Sequence, residues 1–420
     1  MKILLLNDDF TGLKDTAFDG EPRGRGGAAI VVASLAEEYA RAGHTVEVLT
    51  THQSDPQSIV EERTSHVCVT SLPIRYPKRL RHYLTLWNPK ASRLISAFLK
   101  ANGPFDAVHV HNVHSFLTYN AIPLVRQYSR NVIITFHDAM SVAYGRIGTP
   151  QYLEKNDPHL TILDHVRLAG RSYNPLRNSI IRRMLRSATT KISVSRALRE
   201  ALEKNGVVVD AVIHNGITAL DGDALEKRTQ ELRRMWNVEG KSVLFLGGRL
   251  RKEKGVLHAF EALRMVRETH PNTVLLLVGA RSDAEVLLRN YPHADVIQSY
   301  IIITDWIPQS DVRAALWLSD ICLTPSVYLD PFVLVNVEAM SAGKPVIGTR
   351  FGGTHEIVEN GKTGFIIDPR NAGEFAKAIT KLLDDPDLRQ RMGNAGRERV
   401  QKNFSLTKQV QQYLDLLSRE

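Results

Sequence analysis

Ile321-Cys-Leu-Thr324-Pro-Ser-Val-Tyr-Leu-Asp330-Pro-Phe-Val-Leu-Val-Asn-Val-Glu338-Ala-Met-Ser-Ala-Gly343-Lys-Pro345 reads as strand, loop and helix in succession. Ile321 to Thr324 is a short apolar run of strand type. The loop after it bears one carboxylate, Asp330, and a second, Glu338, stands at the start of a helix of small residues. The first backbone N–H groups of that helix, at Leu334 and Val335, have no partner within it, so its N-terminus is a place where phosphate binds. Carboxylates flanking such a turn accept hydrogen bonds from sugar or ribose hydroxyls. The segment therefore reads as a nucleotide-sugar site.

On either side the alternation continues. Ser242-Val-Leu-Phe-Leu-Gly is a strand, Gly255 to Thr269 a helix, Thr273 to Gly279 a strand, and Asp311 to Leu318 a helix. Pro345-Val-Ile-Gly-Thr and Gly364-Phe-Ile-Ile-Asp are two later strands. The first half shows the same rhythm: strand Lys2–Asn7, a polar glycine-rich loop from Asp8 to Gly27, helix Ala28–Ala42 and strand Thr45–Thr50. Further short strands follow at Ala107–His111, Asn131–Thr135 and Lys191–Ser195. Short buried strands alternating with helices imply parallel sheets covered on both faces. A chain of 420 residues is too long for one ordinary core, and the polar stretch from Asn215 to Asn237 reads as the hinge. The expected organisation is α/β, with doubly wound domains at 1–214 and 215–403 and a closing helix over 404–420.

Composition narrows the function classes. Apolar residues make up 43% and charged residues 24%, the balance of a soluble globular chain. Cys68 and Cys322 lie far apart in apolar runs and read as core thiols, which suits a reducing cytoplasm. No apolar run reaches the length of a spanning helix. Residues 1–210 hold 27 Lys and Arg against 19 Asp and Glu, whereas residues 211–420 are nearly balanced. The excess lies between Arg75 and Lys100 and between Arg167 and Arg199. There Asn178 to Arg186 alternates apolar and basic residues at helical spacing and includes Arg182 and Arg183. An anionic membrane surface or an anionic acceptor is the partner such a face suggests, with a solvated helix packed on the core as the plain alternative. Nucleic acid is excluded as a partner, because no recognition motif accompanies the charge.

Other motifs sit where strands end. Leu246-Gly247-Gly248-Arg249 to Lys254-Gly255 follows a strand and opens a helix, with two cations near glycines that admit close backbone approach. Cations held there would stabilise the diphosphate that leaves when a nucleotide sugar is cleaved. Gly279 ends an apolar strand, where a base, a ribose or merely a turn needs glycine. Gly26 and Gly27, in Gly24-Arg25-Gly26-Gly27, open the first helix and present bare amides. His137 and Asp138 stand just past a strand. His109, His111 and His114 resemble a metal cluster, but no carboxylate or thiol completes it, so no metal is expected. The acid pairs Asp8-Asp9 and Asp384-Asp385 do not follow the strand that a metal-dependent transferase would use.

These motifs resemble those of the large family 4 of retaining glycosyltransferases that use nucleotide sugars. The family's paired acids read Glu, seven residues, Glu. Here the first acid is Asp330 and Val333 stands where Gly is frequent, while Glu338 and Ala-Met-x-x-Gly-Lys-Pro-Val match. Thr-x-His-Asp at His137 and Gly352-Gly353-Thr-His-Glu356-Ile-Val also match, and the likeness covers nearly the whole chain. It implies the GT-B fold, two Rossmann-like domains facing across a cleft, with the closing helix packed back on the first. It further implies pyrophosphate contacts from Arg249 and Lys254, ribose contacts from Glu338, and contacts to the transferred sugar from Asp330 and His137. Gly26 and Gly27 would lie on the donor side, His111 and Asn112 on the acceptor side. The expected reaction is metal-independent transfer from a UDP- or GDP-sugar, with no cofactor, to a glycan or lipid-linked acceptor, in the cytoplasm or at the inner face of its membrane. An epimerase or hydrolase on the same fold, or an impaired regulatory subunit, are the alternatives.

Overall fold

The computed structural model describes residues 1–10, 26–53, 59–220 and 222–418. Gly24 and Arg25 of the glycine-rich turn lie outside the described residues. The chain forms two compact units. One comprises Met1–Thr149, Asp157–Asn215 and Leu406–Glu420, the other Pro150–Asn156 and Gly216–Ser405. Pro150–Asn156, which the sequence places in the first domain, thus belongs to the second unit. Tyr152 explains why: its ring packs 5.9 Å from that of Phe351 and its hydroxyl accepts the Gly352 N–H at 2.7 Å.

The first unit is built on β1 (Lys2–Leu6), β2 (Thr45–His52), β3 (Val60–Arg63), β4 (Val67–Pro73), β5 (Ala107–Val110), β6 (Asn131–Phe136), β7 (Thr190–Ser193) and β8 (Ala211–Val212). Among the described residues they form one sheet in the order β3-β4-β2-β1-β5-β6-β7-β8. All neighbours are parallel except β3, which pairs antiparallel with β4 at the edge. Helix Leu406–Leu417 lies in this unit: Tyr413 is fully buried, and the Asn131 amide donates to the Leu416 and Leu417 carbonyls at 2.9 and 3.0 Å.

The second unit holds β9 (Ser242–Gly248), β10 (Thr273–Gly279), β11 (Ile301–Ile303), β12 (Ile321–Thr324), β13 (Val346–Thr349) and β14 (Gly364–Ile367), all parallel, in the order β11-β10-β9-β12-β13-β14. Because successive strand residues point to opposite faces, one sequence feeds two cores. Leu244, Leu246, Leu275, Leu277 and Leu323 pack with helices Val256–Val266 and Ala372–Asp384. Val243, Phe245, Val274, Leu276 and Cys322 pack with helices Gln309–Leu318 and Leu334–Ser341. The doubly wound α/β class read from the sequence is the one observed.

Three local expectations differ. The polar stretch expected as a hinge contains helix Gly222–Met235, whose Leu232 is buried and whose Arg228 grips Asp311 through two bonds of 2.8 and 2.7 Å. Sparse apolar positions among charges hid its periodicity. Cys68 is half-buried on β4, while Cys322 lies in the core. Helix Arg177–Leu185 buries Ile181 and Leu185, so the basic face read over Asn178–Arg186 is the solvated side of a core helix. Among the described residues no helix is long and apolar enough to cross a membrane.

Candidate active site

In a doubly wound sheet, ligands bind beyond the carboxyl ends of the strands where the strand order reverses. In the second unit that point lies between β9 and β12, and both cation- and acid-bearing motifs leave the sheet there. The loop after β9 carries Lys254, and the loop after β12 carries Asp330. Lys254 Nζ donates to Asp330 Oδ2 at 2.6 Å, and Ser326 Oγ donates to the same oxygen at 2.9 Å. Burial alone would lower the Lys254 pKa, but the Asp330 carboxylate and Tyr328 outweigh it and push it up, so the ammonium stays charged. Its Nζ also stands 5.6 Å from the centre of the Tyr328 ring. A Val327 N–H to Glu253 carbonyl bond of 2.8 Å ties the two loops together.

A third loop clamps Asp330 from behind. The Gly353 N–H donates to the Asp330 carbonyl at 2.9 Å, and a Cβ on Gly352 would lie 2.1 Å from that same oxygen. Gly352 also has φ +69°, so no other residue fits without moving Asp330. The Gly-Gly pair, legible beforehand only as turn chemistry, is thus part of the site's frame.

Glu338 is buried on helix Leu334–Ser341 and accepts from Gln309 Nε2 at 2.6 Å. Burial raises its pKa, while Arg313 and the Gln309 bond hold it down. Val333 caps this helix at φ −83°, a conformation open to any L-residue, so the valine in place of the frequent glycine costs no backbone strain. The amides of Leu334 and Val335 follow at the helix start. Arg249 is exposed past the end of β9, and among the described residues its guanidinium makes no hydrogen bond or ion pair. Gly279 has a reason inside the sheet: a Cβ there would lie 2.0 Å from the Gly248 carbonyl oxygen.

In the first unit the order reverses between β1 and β5. Asp8, just past β1, accepts from the amides of Ser115, Phe116 and Leu117 at 2.6, 2.8 and 2.7 Å and so shapes the loop after β5. Burial pushes its pKa up to about 6, against the pull of His114 and these amides. His111 is buried with Nδ1 2.9 Å from Nε2 of half-buried His137. Burial holds the His137 pKa down at about 4 despite Asp138, and those of His109 and His111 well below the usual range, so all three rings are neutral near pH 7. His109 is occupied by Tyr39 and Thr135 at 3.2 and 2.8 Å. Among the described residues no group of these side chains is arranged to hold a metal. Asn112 gives its N–H to Asn7 at 3.0 Å and its carbonyl to the Asp8 N–H at 2.7 Å. Gly26 caps helix Gly27–Arg41, and a Cβ on Gly27 would meet nothing within 4 Å, so packing does not require glycine there.

Several participants had no separate sequence signal. Ser326 and Tyr328 meet the ion pair and Gln309 meets Glu338; Asp8, read beforehand only as half of an acid pair, holds a loop far along the chain. Asp385 is a helix cap accepting from Leu388 N at 2.8 Å, as its place between late helices suggested.

The family model described as Glycosyl transferases group 1 matches residues 228–399, and that described as Glycosyltransferase Family 4 matches residues 25–219. A glycogen synthase of Mycobacterium tuberculosis is 29% identical over 282 residues, which are 65% of this chain and 65% of that enzyme. Among solved structures, a sucrose-phosphate synthase from Thermosynechococcus elongatus superposes with a TM-score of 0.71 at 22% identity, over 99% of this chain and 98% of the other. Anabaena HepE in complex with UDP-glucose superposes with a TM-score of 0.67 at 20% identity, over 100% and 99%.

Proposed function

The chain belongs to the glycosyltransferases that combine a family 4 domain with a group 1 domain, and on that premise we propose that it moves a sugar from a nucleotide diphosphate sugar to a hydroxyl of a glycan or lipid-linked acceptor. The observation that carries this reading is the Lys254–Asp330 contact of 2.6 Å at the carboxyl ends of β9 and β12. A charged ammonium and a carboxylate are poised there beside a helix N-terminus. The UDP-glucose bound to HepE favours a UDP-sugar among the donors.

In the proposed reaction, the amides of Leu334 and Val335, with Arg249 and Lys254, take the diphosphate, and Glu338 takes the ribose diol. Asp330 is left to accept from hydroxyls of the transferred sugar. The bond from the anomeric carbon to the phosphate oxygen breaks while positive charge grows on the sugar. The acceptor oxygen attacks from the leaving-group side and gives its proton to the departing phosphate oxygen, which retains configuration. Charge on the leaving group is met by Arg249 and Lys254, so a divalent ion has no required role; turnover in a chelating buffer tests that point. Neutral His137 offers an N–H to a sugar hydroxyl rather than a general base. His111 fixes that ring, and Asn112 lies on the acceptor side. A lipid-linked acceptor would be met at an anionic membrane surface on the cytoplasmic side.

The test is a panel of UDP-, GDP- and ADP-sugars in thermal-shift and transfer assays on the full chain. One donor should raise the melting temperature with the logarithm of its concentration and give an α-linked product with an α-linked donor. Formation of a sugar isomer from donor alone would instead support an epimerase. Donor binding without hydrolysis or transfer to any acceptor would mark a regulatory subunit.

A further inference from the structure

Helix Ile162–Ala169 is turned inside out. A surface helix normally buries its apolar stripe, yet none of these residues is buried, and Ile162, Leu163 and Val166 are 75, 55 and 38% exposed. The helix start is nonetheless fixed, because Thr161 and Asp164 exchange bonds of 2.9 and 3.2 Å in a capping box. The exposed apolar residues do not stand alone. Ser172 Oγ donates to the Arg79 carbonyl at 3.0 Å, Tyr83 Oη to the Tyr173 carbonyl at 3.1 Å, and Asn174 Nδ2 to the His82 carbonyl at 3.4 Å. These bonds join the helix's own segment to a second one in which Leu80, Tyr83 and Trp87 are 42, 48 and 54% exposed. Leu176, at 65%, lies on the chain between this joint and the next helix.

Charge identifies what covers them. Residues 79–87 and 162–176 hold four Arg, at 79, 81, 167 and 171, against one acid, Asp164, which is bonded to Thr161 in the capping box. Arg79, Arg167 and Arg171 are exposed within the same two segments. Exposed apolar side chains on a helix and a neighbouring turn, with Tyr and Trp among them and arginines in the same segments, match the headgroup layer of an anionic bilayer. We propose that this face of the first unit, formed by residues 79–87 and 162–176, docks on an anionic lipid surface. Ile162, Leu163 and Trp87 insert between headgroups, and the arginines hold anionic lipid around them. The inference deepens the reading of a lipid-linked acceptor and rests on it for its purpose, though not for its test.

The experiment is cosedimentation of the full chain with phosphatidylcholine vesicles, with and without about 30% phosphatidylglycerol. The wild type pellets with the anionic vesicles and is released by raised salt. The variant Ile162→Ser/Leu163→Ser, altered only at exposed positions, keeps the wild-type melting temperature and loses partitioning roughly tenfold or more. Trp87→Ser does the same to a smaller degree. Failure of the wild type to pellet, or unchanged pelleting of the double variant, overturns the proposal. So does a dimer in sedimentation velocity that the double variant abolishes, since a second copy would then be the occupant. A melting-temperature shift with UDP-glucose, run on the same samples, reads the donor site separately, so loss of one result leaves the other intact.

Discussion

Lys254 illustrates how a counter-charge sets the state of a buried side chain. It is partly buried and keeps its charge because Asp330 sits 2.6 Å away. Lys254→Ala should lower kcat on the order of a hundredfold, the usual loss when one preorganised donor to developing charge is removed, with melting temperature measured in parallel. Asp330→Ala leaves the ammonium without its counter-charge and should cost about 3 kcal/mol, at the low end for a broken buried pair because Lys254 retains some water; denaturant midpoints read this directly. The histidines make a pH prediction. His137 titrates near 4 when folded and near 6.5 when unfolded, so the unfolded chain binds more protons between those values. The stability that His137 contributes is therefore full above pH 6.5, falls as pH drops toward 4, and levels off below it, by up to about 3 kcal/mol. His137→Gln should flatten part of that slope in urea titrations from pH 7 to 4.5, where His109 and His111 add to it and Asp8, its carboxyl raised to about 6, opposes it.

Elements matter here mainly through the loops they aim. The loops after β9 and β12 are joined by the Val327–Glu253 bond, and the turn at Gly352 presses on Asp330. Gly352→Ala should therefore cost on the order of 2 kcal/mol and also lower kcat/KM, although residue 352 offers no side chain to a substrate. A loss of stability with kcat/KM unchanged would show that the turn does not position Asp330. Strands of four to seven apolar residues were legible because burial on both faces leaves only Val, Leu and Ile to choose from. Helix Gly222–Met235 was not, since its few apolar positions are diluted by charge. Nor was the exposed helix Ile162–Ala169: periodicity shows that a stripe exists, not which way it faces. The sequence placed the basic surface over Asn178–Arg186, and the fold buries the apolar half of that helix.

At the scale of the whole molecule, both sheets place their motifs at the point where strand order reverses; alternation made the parallel sheets readable, but not that order. What sequence could not supply is the pairing across long separations: Asp8 with Ser115–Leu117, Lys254 with Asp330, Gln309 with Glu338. Each joins loops brought together by strand order, which no local pattern records. The helix Leu406–Leu417 is a further case, since Tyr413 fills the first unit's core from the far end of the chain. Tyr413→Ala should cost about 3–5 kcal/mol, as large aromatic deletions do, and thermal unfolding would show it. The central claim is that the second unit holds a sugar nucleotide through Lys254, Glu338 and the helix start at Leu334. Calorimetric titration of UDP-glucose, with GDP- and ADP-glucose as alternates, into wild type, Lys254→Ala and Glu338→Ala tests it most directly. One nucleotide sugar should bind the wild type, with affinity weakened tenfold or more in each variant; equal affinity in all three proteins would contradict the account.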